Sequence, residues 1–347
     1  MAKPIVLFRA DGHAQMGLGH LIRSAALAEM LRDDFHCVLV RRLLPQALLP
    51  EMERVYAEVI ESGSAQEGVP EAADLVELAK KISLADSVPI VVLDGYHFGT
   101  EYQRVIKEAG LKLVCIDDIH AYPFVADVVV NHAPGVAPFY AALLKNGRLV
   151  SGLDYALLRS PFLRAARESQ GKTLTSGPLK NILICLGGSD KLGLSTLIVR
   201  QLISNENNYR LVVVSGAAAA GTAELEKLAE GCPQLNLLRN LSAEAMAAEM
   251  ARADAAILPA SSILYEACAL RLPTLSGFYV GNQERIYEGF LAAGLIEGLG
   301  DLRETIDYSG ALERLESKQT IIRINQLKRL TGDSGNRFIE LFQNLLT

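Results

Sequence analysis

A histidine follows two closely spaced glycines in Gly17-Leu18-Gly19-His20, where the apolar run Pro4–Arg9 has given way to a loop and the helix-like Leu21–Leu31 begins. Glycines there let the chain turn sharply and let a ligand come close to the backbone. The start of the following helix offers N–H groups and a partial positive charge to a phosphate or a developing oxyanion. An imidazole at that place can accept a proton from water near neutral pH. The plain alternatives are a tight turn without a ligand and a histidine that caps the helix or packs in the core. A second constellation is Pro259-Ala260-Ser261-Ser262-Ile263-Leu264-Tyr265-Glu266, with Ser261 or Ser262 as N-cap and Glu266 one turn beyond Ser262 on the same face. A carboxylate there can accept both hydroxyls of a ribose while the serines and helix N–H groups meet a pyrophosphate. An ordinary capped helix with a solvated Glu is the competing reading. Gly187-Gly188-Ser189 forms another phosphate-friendly turn, and Gly281-Asn282-Gln283 follows the next strand within reach of the same ligand. Asp94 and Tyr96, in Leu93-Asp94-Gly95-Tyr96-His97, end a further strand and point to the same mouth unless they form only a polar strand end in solvent.

Asp117, Asp118, His120 and His132 are oxygen and imidazole ligands near strand ends, but no H-E-x-x-H and no Cys/His set with zinc spacing accompanies them. The expectation is a metal-independent protein without a cofactor. No G-x-S-x-G elbow and no nucleophilic cysteine motif is present.

The elements that must position these groups are short Val/Ile/Leu-rich runs alternating with amphipathic stretches: Pro4–Arg9, Phe35–Arg41, Ile90–Asp94, Leu111–Asp117 and Asp127–Asn131, then Asn181–Leu186, Leu211–Ser215, Asn236–Arg239, Ala255–Pro259 and Pro273–Phe278. Continuous apolar strands separated by helices mean parallel sheets buried on both faces. The two series open alike, with a strand, a Gly-rich turn and a helix (Leu21–Leu31 and Leu194–Leu202). The polar stretch Arg164–Pro178 between them reads as a linker. The fold class is therefore α/β, with two Rossmann-like domains over 1–163 and 179–347 joined by 164–178. Ligands of such sheets sit beyond the carboxyl ends of the strands, so two domains facing each other would bring both loops to one cleft. The final helical segment, Gly335–Leu346, is free to pack back on the first domain.

Length and charge agree with this division. At 347 residues the chain exceeds the roughly 250–300 at which single cores stop growing. Half of its residues are hydrophobic and 21% charged, enough apolar material for two cores. With 34 basic against 40 acidic residues the net charge is −6, which argues against nucleic-acid partners. No run approaches the roughly 18 apolar residues of a membrane span, and the opening MAKPIVLFRADG is too short and too soon charged for a signal peptide. The chain reads as cytoplasmic. Its five cysteines, Cys37, Cys115, Cys185, Cys232 and Cys268, contain no C-x-x-C pair and are expected to be reduced.

Taken together, Arg9-Ala10-Asp11 with Gly17-x-Gly19-His20-x-x-Arg23, Asp94-x-Tyr96, Ile116-Asp117-Asp118, Gly152-x-x-Tyr155-Ala156-Leu157-Leu158-Arg159, Leu186-Gly187-Gly188-Ser189-Asp190, and Ser262 to Glu266 followed by Asn282-Gln283 cover nearly the whole chain. In that order they resemble the hydrolases that release 2,4-diacetamido-2,4,6-trideoxy-L-altropyranose from UDP in pseudaminic acid biosynthesis, relatives of the two-domain GT-B glycosyltransferases. The resemblance implies inverting hydrolysis at the anomeric carbon. His20 matches the family's catalytic histidine, which activates or positions water; Tyr96 matches the tyrosine beside it, and Asp11 falls in the same first-loop motif. Gly188, Ser189, Ser262, Glu266, Asn282 and Gln283, with Ser261, fall on the nucleotide side. Gly17, Gly19, Arg23, Asp94, Asp117 and Asp118 fall on the substrate side. His13 is a departure, standing where the family usually carries a small residue such as Ser. Two other functions fit the same donor site: a GT-B transferase passing the sugar to an alcohol or lipid acceptor, and a binding protein that never consumes the UDP-sugar. The transferase would need an acceptor surface, for which Arg41-Arg42-Leu43-Leu44-Pro45-Gln46-Ala47-Leu48-Leu49-Pro50 pairs basic residues with an apolar loop; a loop tucked under the next helix is the alternative. Oligomeric state is not legible.

Overall fold

The computed structural model describes residues 3–13, 17–64, 66–83, 88–171, 177–187, 190–204, 208–216 and 221–347. By contact the chain divides into two compact units, Met1–Ser160 with Asp333–Thr347, and Pro161–Gly332.

The first unit is a seven-stranded, wholly parallel sheet of β1 (Ile5–Ala10), β2 (His36–Arg41), β3 (Glu58–Glu61), β4 (Ile90–Asp94), β5 (Lys112–Ile116), β6 (Val128–Asn131) and β7 (Arg148–Ser151). Helices α1 (Gly19–Leu31), α2 (Leu49–Val55), α3 (Val69–Ile82) and α4 (Thr100–Glu108) connect its strands. The order is β3-β2-β1-β4-β5-β6-β7. Every residue of β1 and β4 is buried, as strands covered on both faces must be. The chain winds outward from β1 in one direction and, after β3, from β4 in the other. The carboxyl ends of β1 and β4, paired Ala10 to Asp94, therefore form a topological switch point, where open α/β sheets hold ligands.

In the second unit α5 (Ser160–Glu168) leads into β8 (Asn181–Ile184), α6 (Leu194–Ser204), β9 (Arg210–Ser215), α7 (Thr222–Gly231), β10 (Leu235–Arg239), α8 (Ala243–Arg252), β11 (Ala255–Pro259), α9 (Ser262–Ala269), β12 (Thr274–Phe278), α10 (Gly281–Ala292), β13 (Glu297–Asp301) and α11 (Tyr308–Arg329). Its sheet is parallel too, in the order β10-β9-β8-β11-β12-β13, so a second switch point lies between β8 and β11. Arg271 fixes α9 from behind. This buried residue, at φ 62°, donates to the carbonyls of Cys268, Gln326, Leu330 and Ala166, gathering the C-terminal ends of three helices around one cation. Helix α12 (Ser334–Leu345) returns to the first unit, where Phe342 meets Phe35 and Phe338 meets Tyr155 edge-on.

All ten strands expected from apolar runs are present, within a residue or two of their expected ends. The expected linker is corrected at its start: Arg164–Glu168 is the second half of α5, whose Phe162, Leu163 and Ala166 are buried. Residues 172–176 of that stretch lie outside the described residues. The five cysteines are thiols, four of them buried. Among the described residues no helix is long and apolar enough to cross a membrane, and no group of three His, Cys, Asp or Glu side chains is arranged to hold a metal.

Candidate active site

At the β1/β4 switch point the chain places one buried ionic cluster. His20, the second residue of α1, is only 5% exposed. Its Nδ1 lies 2.7 Å from Asp94 Oδ1. Arg23, one turn further along α1, straddles the same carboxylate, with Nε 2.9 Å from Oδ2 and Nη2 2.7 Å from Oδ1. Ser24 Oγ adds a fourth donor at 3.2 Å. Asp94 is completely buried. Burial alone would raise its pKa, but Arg23 and then His20 hold it below the ordinary carboxylate range. An ionised carboxylate only accepts, so the short contact to His20 requires a proton on Nδ1, and in the neutral ring the lone pair is then on Nε2. Arg23 Nη2 also lies 3.2 Å from Nδ1, but a guanidinium cannot bond to a nitrogen already carrying a proton, and its shorter contact is to Asp94. Nε2 has no partner among the described residues. Tyr96, 38% exposed, sets its ring edge-on to His20 with centroids 4.5 Å apart.

Asp11, expected beside His20 and Tyr96 in the catalytic group, and two acidic residues expected on the substrate side have other occupations. Asp11 accepts Arg9 Nη2 at 2.7 Å with one oxygen and the Arg42 and Leu43 amides at 2.7 and 2.9 Å with the other, pinning the loop after β2. Asp117 accepts the amides of Ile119 and His120 and the Tyr140 hydroxyl, the last at 2.6 Å. Asp118 pairs with Arg23 Nη1 at 2.7 Å, and its Oδ1 is buried without a hydrogen bond. Gly17 sits at φ 91°, a conformation that favours glycine, and its amide closes the first loop on His13 O at 2.8 Å. Gly19 has open space where a side chain would be. No side chain caps α1, so His20 is not a cap.

His132 belongs to the frame. Its Nδ1 accepts the Leu157 amide at 3.1 Å, and burial, then the charge of Arg23, push its pKa down to about 3. Since an unfolded histidine titrates near ~6.5, the unfolded chain takes up a proton that the folded one refuses between those values. Stability is thus expected to fall as pH drops through that window, by at most about 1.4 kcal/mol per pH unit from this residue. His132→Gln should flatten the dependence of the thermal midpoint on pH; an unchanged slope would show that His132 is not its source.

In the second unit Glu266 is 3% exposed on α9, and Ser261 is the N-cap residue of that helix, as expected, although its hydroxyl makes no capping hydrogen bond. Gly188 and Ser189 lie outside the described residues. The next residue, Asp190, covers the start of α6 with its own carboxylate, accepting the Leu194 and Ser195 amides at 2.9 and 3.0 Å. Gln283 turns its amide oxygen back to Tyr279 N at 3.1 Å, while Asn282, beside it at the start of α10, is part-exposed. Ser24, Asp190 and His97 were not singled out as site residues from the sequence; Asp190 carried a signal, an Asp four residues before a helix-like run.

Two parallel sheets of seven and six strands, each with flanking helices and a switch point, are the fold of the GT-B glycosyltransferase class. The calicheamicin glycosyltransferase CalG4 superposes with a TM-score of 0.65 over 100% of this chain and 99% of its own, at 13% identity. Among curated proteins, the chain is 28% identical over 285 residues to the UDP-2,4-diacetamido-2,4,6-trideoxy-beta-L-altropyranose hydrolase of Campylobacter jejuni, covering 80% of this chain and 93% of that one. It is also 28% identical over 307 residues to the spore coat polysaccharide biosynthesis protein SpsG of Bacillus subtilis, covering 86% of each. No protein-family model matches it.

Proposed function

We propose that this chain hydrolyses a UDP-linked 2,4-diacetamido-2,4,6-trideoxy sugar to UDP and the free sugar, with inversion. The observation that carries the reading is the His20–Asp94 contact, which fixes the proton on Nδ1 and presents Nε2 as a base. In the proposed step a water oxygen attacks the anomeric carbon from the face opposite UDP and gives its proton to Nε2. The bond from that carbon to the phosphate oxygen breaks, and its electron pair leaves on UDP. Tyr96 packs against the ring, while Arg23, Asp118 and Ser24 act through Asp94 as positioning residues. Asp11 and Asp117 hold the loops that frame the site. The open space over Gly19 suits close approach of the sugar. The name of the Campylobacter relative supports the substrate class.

On the nucleotide side, the α6 amides already have Asp190, so the diphosphate is assigned to the start of α9 with Ser261 and Ser262, helped by Asn282 and the Gly188-Ser189 turn. Glu266 accepts the ribose hydroxyls. Glu266→Ala is accordingly expected to weaken UDP binding by roughly 1.5–3 kcal/mol, the scale of a hydrogen bond to a charged group. Calorimetry with UDP checks this, and an unchanged affinity removes Glu266 from the site.

The reaction itself is tested by incubating the protein with UDP-sugars in water alone, with and without EDTA. Free UDP and free sugar are expected in both. Release that stops on chelation and returns with a divalent ion would overturn metal independence. The transferase reading has one supporting observation, the 46% exposure of Leu43 in the apolar loop after β2; it predicts UDP release only when an alcohol or lipid acceptor is added. A UDP-sugar that binds and is never consumed would leave a binding protein.

A further inference from the structure

The residue after Tyr96 has no part in that mechanism. His97 is half-buried, and its ring lies against Phe98 with centroids 3.9 Å apart. Phe98 is itself fixed: it is 1% exposed, packs on Tyr102 at 4.9 Å, and has the Arg9 guanidinium 5.2 Å from its ring centroid. Gly95 completes the support, because a Cβ there would come within 2.8 Å of Phe98 and 3.2 Å of His97. The imidazole is thus held through its carbon faces alone. Among the described residues neither of its nitrogens has a hydrogen-bond partner. Burial, followed by the charge of Arg9, lowers its pKa, so at neutral pH the ring carries one N–H and one lone pair. A rigid ring with both polar atoms unassigned, next to the tyrosine that touches His20, has the form of a preorganised recognition group. Being neutral, it suits an uncharged polar group rather than a phosphate.

We infer that His97 reads the sugar, exchanging a hydrogen bond with a neutral acetamido or hydroxyl substituent on the ring that is presented to His20. The inference rests on the reading of the first unit as the sugar side. The test uses His97→Phe, which keeps an aromatic ring on Phe98 and removes both nitrogens, and His97→Gln, which restores a donor and an acceptor. In a His20→Asn background, where turnover is suppressed, calorimetry compares UDP with UDP-2,4-diacetamido-2,4,6-trideoxy-beta-L-altropyranose. His97→Phe is expected to weaken the UDP-sugar roughly five- to tenfold with UDP unchanged, the scale of one lost neutral hydrogen bond. His97→Gln should recover part of the loss. With His20 intact, the change should fall on KM rather than kcat. An unaltered ratio of the two affinities, equal weakening of both ligands, or a fall in kcat at constant KM would each overturn the inference. If the wild-type protein releases no UDP, the hydrolase reading fails, while the affinity ratio still decides the role of His97.

Discussion

Replacing His20 with Asn is expected to lower kcat for UDP release by roughly 100-fold or more, the usual scale for losing a general base, while UDP affinity barely changes. Asn keeps an N–H able to face Asp94, so the buried carboxylate is not stripped of its donor and the cluster with Arg23 persists. What disappears is the lone pair at Nε2. A histidine that only supports the fold predicts a different pattern, in which the thermal midpoint drops and binding and turnover weaken together. Near-normal kcat in a folded His20→Asn protein would remove the base from the mechanism even if UDP release itself were established.

The strands that escaped the sequence reading have a common physical origin. β3, β7 and β13 are all sheet edges, and their residues Glu58–Glu61, Arg148–Ser151 and Glu297–Asp301 are mostly partly exposed or exposed. An edge strand needs no continuous apolar run, so the pattern that revealed the central strands is absent from it. The site was legible in pieces for a related reason. His20 and Asp94 each stand out as polar groups at a strand end, but their contact depends on β4 lying next to β1, and strand order is not written in local periodicity. Carboxylates at strand ends are ambiguous in the same way: Asp11 looks like a catalytic group and Asp117 like a substrate ligand, yet both bond to backbone amides. Asp190 is the reverse case, a side chain that occupies the helix start which the neighbouring glycines appeared to offer to a phosphate.

Asp94→Asn is expected to be as damaging as loss of His20 itself, lowering kcat by roughly 10³ or more, by analogy with the amide replacement in serine-protease triads. The amide has one oxygen and one NH₂. Arg23, a cation that can only donate, contacts both carboxylate oxygens, so the amide oxygen can meet it at only one of them; with the oxygen at the Oδ2 position, the NH₂ faces His20 Nδ1. The ring then accepts at Nδ1 and carries its proton on Nε2, the tautomer that cannot take a proton from water. Arg23 retains Asp118 at 2.7 Å, so the guanidinium is not left without a carboxylate, but loss of one buried partner should also reduce stability by a few kcal/mol, up to ~5. Kinetics must therefore be compared at a temperature where both proteins are folded. The double variant separates the two effects. If Asp94 acts through the histidine, His20→Asn with Asp94→Asn should turn over no more slowly than the worse single variant, because a base that has been removed cannot be misoriented. Multiplying losses would mean that Asp94 supports turnover independently of His20, and the tautomer argument would fall.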